Sequence, residues 1–135
     1  MRILITASRD WTDRETMRAA LTDAVSAHTG RVVVVEGGAH GGDKLAASVA
    51  IGEGWSVEEY PVNSWYQDGV FNRLAGLERN QLMVDTRPDV CIAFAMPCSK
   101  PPHKTMAPHT SHGVSDCIAR AKRAGIPVKV VTCRN

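Results

Sequence analysis

The chain has 135 residues, 44% of them hydrophobic, with 16 basic and 14 acidic side chains and a formal charge of +2. That length supports one core and excludes two ordinary domains, and the near-neutral balance excludes the concentrated basic field of a dedicated nucleic-acid binder. No apolar run approaches the ~20 residues of a membrane-spanning helix, and Met1-Arg2-Ile3-Leu4-Ile5 reads as a strand rather than a leader, so a soluble, cytoplasmic protein with no membrane partner is expected.

Along the chain, apolar and β-branched runs at residues 2–6, 31–35, 56–60, 89–94 and 127–131 predict five strands. Between the first two, Met17, Ala20, Leu21, Ala24 and Val25 share one helical face, with Thr12 or Asp13 as cap and Gly30 as the stop. A second helix runs from Gly42 or Asp43 through Leu45, Ala46, Val49 and Ala50 to Gly54, and a last one covers residues 114–124 ahead of Gly125 and Pro127. Residues 63–85 are less regular. There Trp65, Tyr66, Val70, Phe71 and Leu74 predict one short helix, and Leu77, Leu82 and Met83 a better one, as an inserted cap or edge. Continuous apolar strands alternating with helices predict a single α/β domain over residues 1–135. Its expected form is Rossmann-like and doubly wound, a mainly parallel five-stranded sheet with helices on both faces. Cys91, Cys98, Cys117 and Cys133 lack the paired spacing of a zinc site or redox pair, so reduced thiols are expected, with Cys91 and Cys133 acting as small hydrophobes.

Ligands of an open parallel sheet bind beyond the carboxyl ends of its strands, so the loops there carry the candidate chemistry. After the first strand, Thr6-Ala7-Ser8-Arg9-Asp10-Trp11 offers small residues for close backbone approach, hydroxyls, and an arginine able to grip phosphate bidentately. The same segment also reads as a plain turn with a solvated arginine and a half-buried tryptophan. After the second strand comes Glu36-Gly37-Gly38-Ala39-His40-Gly41-Gly42-Asp43-Lys44, where glycines let amides approach an anion and the following helix start adds partial positive charge. The run is neither the dinucleotide fingerprint nor a Walker loop, so neither a nicotinamide nor ATP hydrolysis follows, and no cofactor is expected. Asp43 suits a helix cap as well as a ligand contact, and Lys44 suits plain surface charge. The long Pro/His/Lys/Ser-rich segment 96–112 leads through Thr110-Ser111-His112-Gly113 into the last helix, a second anion-site candidate. His103, His109 and His112 with Cys98 match no recognised ligand spacing, so no metal is expected.

Three segments, Ile5-Thr6-Ala7-Ser8-Arg9-Asp10-Trp11-Thr12-Asp13, Glu36-Gly37-Gly38-Ala39-His40-Gly41-Gly42-Asp43, and Arg79-Asn80 with Met83, resemble the SLOG superfamily. This Rossmann-like group includes DNA-processing protein A and the Lonely Guy phosphoribohydrolases, and the likeness is to its small YspA-like, YpsA-related branch of bacteria and phages. Thr110 to Gly113 looks like a remnant of that group's second glycine-rich loop. The resemblance implies a pocket for a nucleotide-derived small molecule, often shared across a homodimer or higher homo-oligomer. It would be lined by Ser8, Arg9, Asp10, Trp11, Gly37, Gly38, Ala39, Gly41, Gly42, Asp43, Arg79, Asn80, Thr110, Ser111 and Gly113. In the Lonely Guy relatives an arginine before a helix and a glutamate after the second glycine-rich turn cleave a nucleoside monophosphate into base and ribose phosphate. Arg79 stands at a position similar to that arginine, whereas the glutamate has no match beyond Gly113, leaving Asp116 or Glu36 as the carboxylate. A ligand-binding or sensor role is therefore the leading expectation, and a phosphoribohydrolase or related N-glycosidase built on Arg79 and Asp116 the second. Single-stranded DNA binding through Trp11, Trp65 and Tyr66 is the third, disfavoured by the charge.

Overall fold

The computed structural model describes residues 1–39, 41–62, 64–72, 74–96 and 112–132. Its elements run β1 (Arg2–Ala7), α1 (Arg14–Val25), β2 (Val33–Glu36), α2 (Gly42–Gly52), β3 (Ser56–Glu59), β4 (Tyr66–Gln67), β5 (Val70–Phe71), α3 (Ala75–Asp85), β6 (Val90–Ala95), α4 (His112–Arg123) and β7 (Val128–Thr132). The main sheet has five strands in the order β3-β2-β1-β6-β7, every pairing parallel, so β1 lies at the centre with Leu4 between Val35 and Cys91. This is the expected Rossmann-like, doubly wound α/β fold.

Alternation of side chains along each strand splits the interior in two. Ile3, Ile5, Val34, Ile92 and Phe94 pack with Met17 and Leu21 of α1 and Ala46, Val49 and Ala50 of α2. On the opposite face Leu4, Val33, Val35 and Cys91 meet Met83 and Val84 of α3 and Cys117 and Ala121 of α4. Cys91 and Cys117 are free, fully buried thiols, and their mutual hydrogen bond together with burial pushes the Cys91 thiol up. Cys98 and Cys133 lie outside the described residues.

Local signals explain most boundaries. Asp13 caps α1, its Oδ1 accepting from the Thr16 amide at 3.0 Å, but the helix stops at Val25, well before Gly30. The second strand begins later than its apolar run and extends one residue further, so Glu36 joins the ladder opposite Glu59. The larger correction concerns the segment around Trp65. In place of a short helix, β4 and β5 form a two-residue-turn hairpin, Tyr66 opposite Phe71. Asp68 at φ 52° and Gly69 at φ 78° both take left-handed backbone, the condition of a type I′ turn. An Asp-Gly pair inside Gln67-Asp68-Gly69-Val70 is the sequence mark of that turn, and it overrides the helix-like spacing of the aromatics. Among the described residues no helix is long and apolar enough to cross a membrane.

Candidate functional site

Because all five strands are parallel, their carboxyl ends share one edge, and β1 has its two neighbours' ends on either side. The turn after β1, the glycine-rich turn after β2, and the starts of α3 and α4 all lie along this edge, as expected for the ligand side of such a sheet.

The first two turns are built onto each other. Ser8 is buried, its amide donating to the Phe94 carbonyl at 2.9 Å, and its own carbonyl accepts from the amides of Trp11 at 3.1 Å and Gly42 at 3.2 Å. Gly41, at φ +84°, rests its Cα against the Arg9 carbonyl, and a Cβ on Gly42 would meet the Ala7 side chain and lie 2.6 Å from the Ser8 oxygen. These two glycines were expected to admit a ligand's anion. They admit the neighbouring loop instead, because only bare backbone fits there. Trp11 is also corrected: its ring is 1% exposed and meets Phe94 edge-on at 5.3 Å, and its indole N–H donates to the Asp13 carbonyl. It belongs to the core. Arg9 and Asp10 are exposed, and among the described residues their side chains form no hydrogen bond or ion pair.

The amides expected to cradle a phosphate also have owners. Gly38, at φ +72°, donates to Glu36 Oε2 at 2.5 Å, and Ala39 donates to Asp43 Oδ2 at 3.3 Å. The backbone N–H groups of Ala7 and Gly37 face the same Asp43 carboxylate. Asp43 is therefore neither the helix cap, a place held by Gly41, nor a free ligand contact. It fills the loop's amide concavity from within. Burial raises its pKa, opposed by those amides and by Arg79.

Glu36 is the more unusual acid. It is fully buried, its Oε1 has no hydrogen-bond partner, and burial pushes its pKa up to about 7. Nearby Asp43 and Glu59 raise it further, while the Gly38 amide and Lys44 act the other way. Lys44 is committed to Glu59 at 2.9 Å. The sequence drew attention to the glycines and left Glu36 out of the lining, although a carboxylate ending the apolar run Val32-Val33-Val34-Val35 is itself a signal.

Arg79 crosses from α3 to the glycine-rich turn. Its Nη1 donates to the Gly37 carbonyl at 2.6 Å and its Nε to Asn80 Oδ1 at 3.1 Å, while Nη2 has no hydrogen-bond partner among the described residues. A Cβ on Gly37 would sit 2.5 Å from Arg79 Nη1 and 3.0 Å from Asp43 Oδ2, so this glycine makes room for the guanidinium. Trp65 from the hairpin approaches the same turn of α3, its indole 3.1 Å from where a Cβ of Gly76 would be. Asn80 is buried and structural in its contacts, its amide nitrogen donating to the Gly113 carbonyl at 3.2 Å and to Asp116 Oδ2 at 3.1 Å. Asp116 also pairs with Arg120 at 2.7 Å. An acid held by two donors on the same oxygen is a poor candidate for moving a proton, and Glu36 fits that chemistry better. Gly113 is exposed at the start of α4, while Thr110 and Ser111 lie outside the described residues. Among the described residues no three His, Cys, Asp or Glu side chains are placed to hold a metal ion.

A groove of about 820 Å³ lies at the opposite end of the sheet, lined by residues including Asp85, Asp89, Ala124 and Pro127. It lies where α3 and α4 end, and its lining carries both acids and the cation Arg87.

The fold and this edge define a Rossmann-like α/β domain of the SLOG kind. Residues 1–65, which carry both loops, match the family described as YspA, cpYpsA-related SLOG. The Gene 61 protein of Mycobacterium phage D29 is 38% identical over 131 residues, covering 94% of this chain and 93% of the relative. The chain belongs to the YspA, cpYpsA-related SLOG family.

Proposed function

We propose that the protein binds a nucleotide or nucleotide derivative at the edge formed by the ends of β1 and β2 and the start of α3. The observation that carries this reading is Arg79, anchored by Gly37 and Asn80 with Nη2 without a hydrogen-bond partner among the described residues, while the exposed Arg9 belongs to the turn that packs on Gly41 of the same glycine-rich loop. With the Gly37, Gly38, Ala39 and Gly42 amides already engaged, phosphate recognition falls to these two guanidinium groups. In thermal-shift screening against mono-, di- and cyclic nucleotides, ADP-ribose and NAD, at least one should raise the Tm, since a ligand of the folded state stabilises it. Arg79→Ala should weaken that ligand about ten- to a hundred-fold, the worth of a charge-assisted contact. Unchanged affinity in both Arg79→Ala and Arg9→Ala would refute the phosphate assignment.

The near-neutral pKa of Glu36 favours a second reading, a phosphoribohydrolase or related N-glycosidase in which Glu36 rather than Asp116 is the carboxylate. Incubation with nucleoside monophosphates should then release free base, and no release from any common base would eliminate it. Self-association belongs to the binding reading. Its support is the exposed hairpin set Tyr66, Val70, Phe71 and Leu74, and light scattering gives the mass.

A further inference from the structure

We propose that Trp65 is the base platform of the nucleotide site: the ligand's nucleobase stacks on its indole while Arg79 holds the phosphate. The inference rests on the nucleotide reading above and gives that ligand's base a place.

Three observations converge. Trp65 is large and apolar yet 37% exposed, and it belongs to none of the clusters that form the interior. Its ring partner is the hairpin's own Phe71, nearly parallel to it with centroids 6.0 Å apart, and Tyr66 meets Phe71 edge-on at 5.7 Å. A two-stranded hairpin has little stability of its own, so an aromatic set kept on one calls for a use. Secondly, the hairpin is tied to α3. The Asn72 amide donates to the Trp65 carbonyl at 2.6 Å. Asn72 Oδ1 accepts from the Leu74 amide at 3.0 Å, and the Asn72 carbonyl from the Ala75 amide at 3.3 Å. These bonds carry the chain directly from the hairpin into the first turn of the helix and fix the indole relative to it. Thirdly, the point where a Cβ of Gly76 would be lies 3.1 Å from Trp65 Cη2 and 3.9 Å from Arg79 Nη2. Glycine weakens a helix, and here it brings the edge of the indole beside the guanidinium nitrogen that has no hydrogen-bond partner among the described residues.

An exposed aromatic beside a cation suits both ends of a nucleoside monophosphate. A base gains from an aromatic platform whatever its edge pattern, and its 5′-phosphate hangs one sugar away, within reach of a guanidinium next to that platform. Phe71 backs one face of the Trp65 ring and Gly76 meets its edge, so the opposite face is the one left to a ligand. A single-stranded nucleic acid would use the same stack but needs a track of cations along its backbone, which a formal charge of +2 does not supply.

The test uses the purified full chain with the four ribonucleoside 5′-monophosphates, ADP-ribose, oligodeoxythymidine and ribose 5-phosphate, which keeps sugar and phosphate but lacks the base. Calorimetry and tryptophan fluorescence read the binding. The wild type should bind at least one nucleotide about ten-fold or more tightly than ribose 5-phosphate, the scale of one stacked base. That nucleotide should quench fluorescence that Trp65→Phe removes, since Trp11 is buried and Trp55 packs against the core. Trp65→Ala should weaken the nucleotide about ten-fold and leave ribose 5-phosphate within about two-fold, while Trp65→Phe, which keeps a ring, should fall between. Equal binding of nucleotides and ribose 5-phosphate by the wild type overturns the platform while leaving the phosphate site intact, and this arm needs no variant to fold. A loss in Trp65→Ala shared equally by ribose 5-phosphate makes Trp65 a support for Arg79 and overturns it. So does a loss of self-association on light scattering with nucleotide affinity unchanged, which makes Trp65 a contact between copies. Tighter, strongly salt-dependent binding of the oligonucleotide assigns the stack to nucleic acid instead. Failure of every probe to bind removes both readings together.

Discussion

Glu36→Gln should make the protein more stable at pH 8 and leave its stability unchanged near pH 4. The folded chain holds the Glu36 proton up to about pH 7, whereas the unfolded chain releases it near the ordinary 4.5. Between those values the folded state binds more protons than the unfolded one, so stability falls as pH rises, and above pH 7 the whole penalty is present. A rise from 4.5 to about 7 corresponds to a cost on the order of 3 kcal/mol once the group is ionised in the folded chain. Glutamine carries no charge at any pH and escapes it. Asp43, also raised, tilts the curve in the same direction and remains in the variant, so the slope should be reduced rather than abolished. Urea denaturation at intervals from pH 4 to pH 8 gives the comparison. A difference between wild type and variant that stays flat across that range would show that Glu36 titrates normally and is not desolvated as described. A gain of stability on removing an acid means that the acid is kept for something other than folding.

The sheet and its covering helices could be read from the chain because they rest on local periodicity. Ile3-Leu4-Ile5 and Cys91-Ile92-Ala93-Phe94 are apolar on both faces, and only a strand covered on both sides buries such runs. Parallel topology then placed the turns after β1 and β2 on one edge without any knowledge of contacts. Trp65, Tyr66, Val70 and Phe71 were misread because their spacing fits a helix face, while the Asp68-Gly69 pair between them favours a reversal of the chain. The roles of the glycines were misread for a different reason. Gly41, Gly42 and Gly37 are small in order to accept Arg9, Ala7 and Arg79, partners distant in sequence or reached only after folding. Likewise Trp11 reads as a loop aromatic until β6 brings Phe94 beside it. A glycine signals that something comes close, and the sequence does not name what.

Gly41→Ala and Gly113→Ala separate these two kinds of glycine and should move stability in opposite directions. At Gly41 the backbone has φ +84°, which an L-residue adopts at a cost, and the added Cβ would overlap the Arg9 carbonyl, a backbone atom that cannot swing aside. Relief requires the two loops to part. That motion would break the Gly42 amide's 3.2 Å bond to the Ser8 carbonyl and lift the start of α2 off the end of β1. Strain and a broken buried contact together are expected to cost about 3 kcal/mol or more. Gly113 lies in the first turn of α4, is not among the positive-φ glycines, and a Cβ there meets nothing within 4 Å. Alanine at that position restricts the unfolded chain and favours the helix, for a gain of about 0.5–1 kcal/mol. Chemical denaturation of both variants beside the wild type measures the contrast. If Gly41→Ala proved as stable as the wild type, the loops after β1 and β2 would not be in backbone contact, and Arg9 would not be held beside the glycine-rich turn that anchors Arg79. The proposed phosphate grip needs both arginines within reach of one ligand, so the close approach at Gly41 is the structural condition on which the binding edge depends.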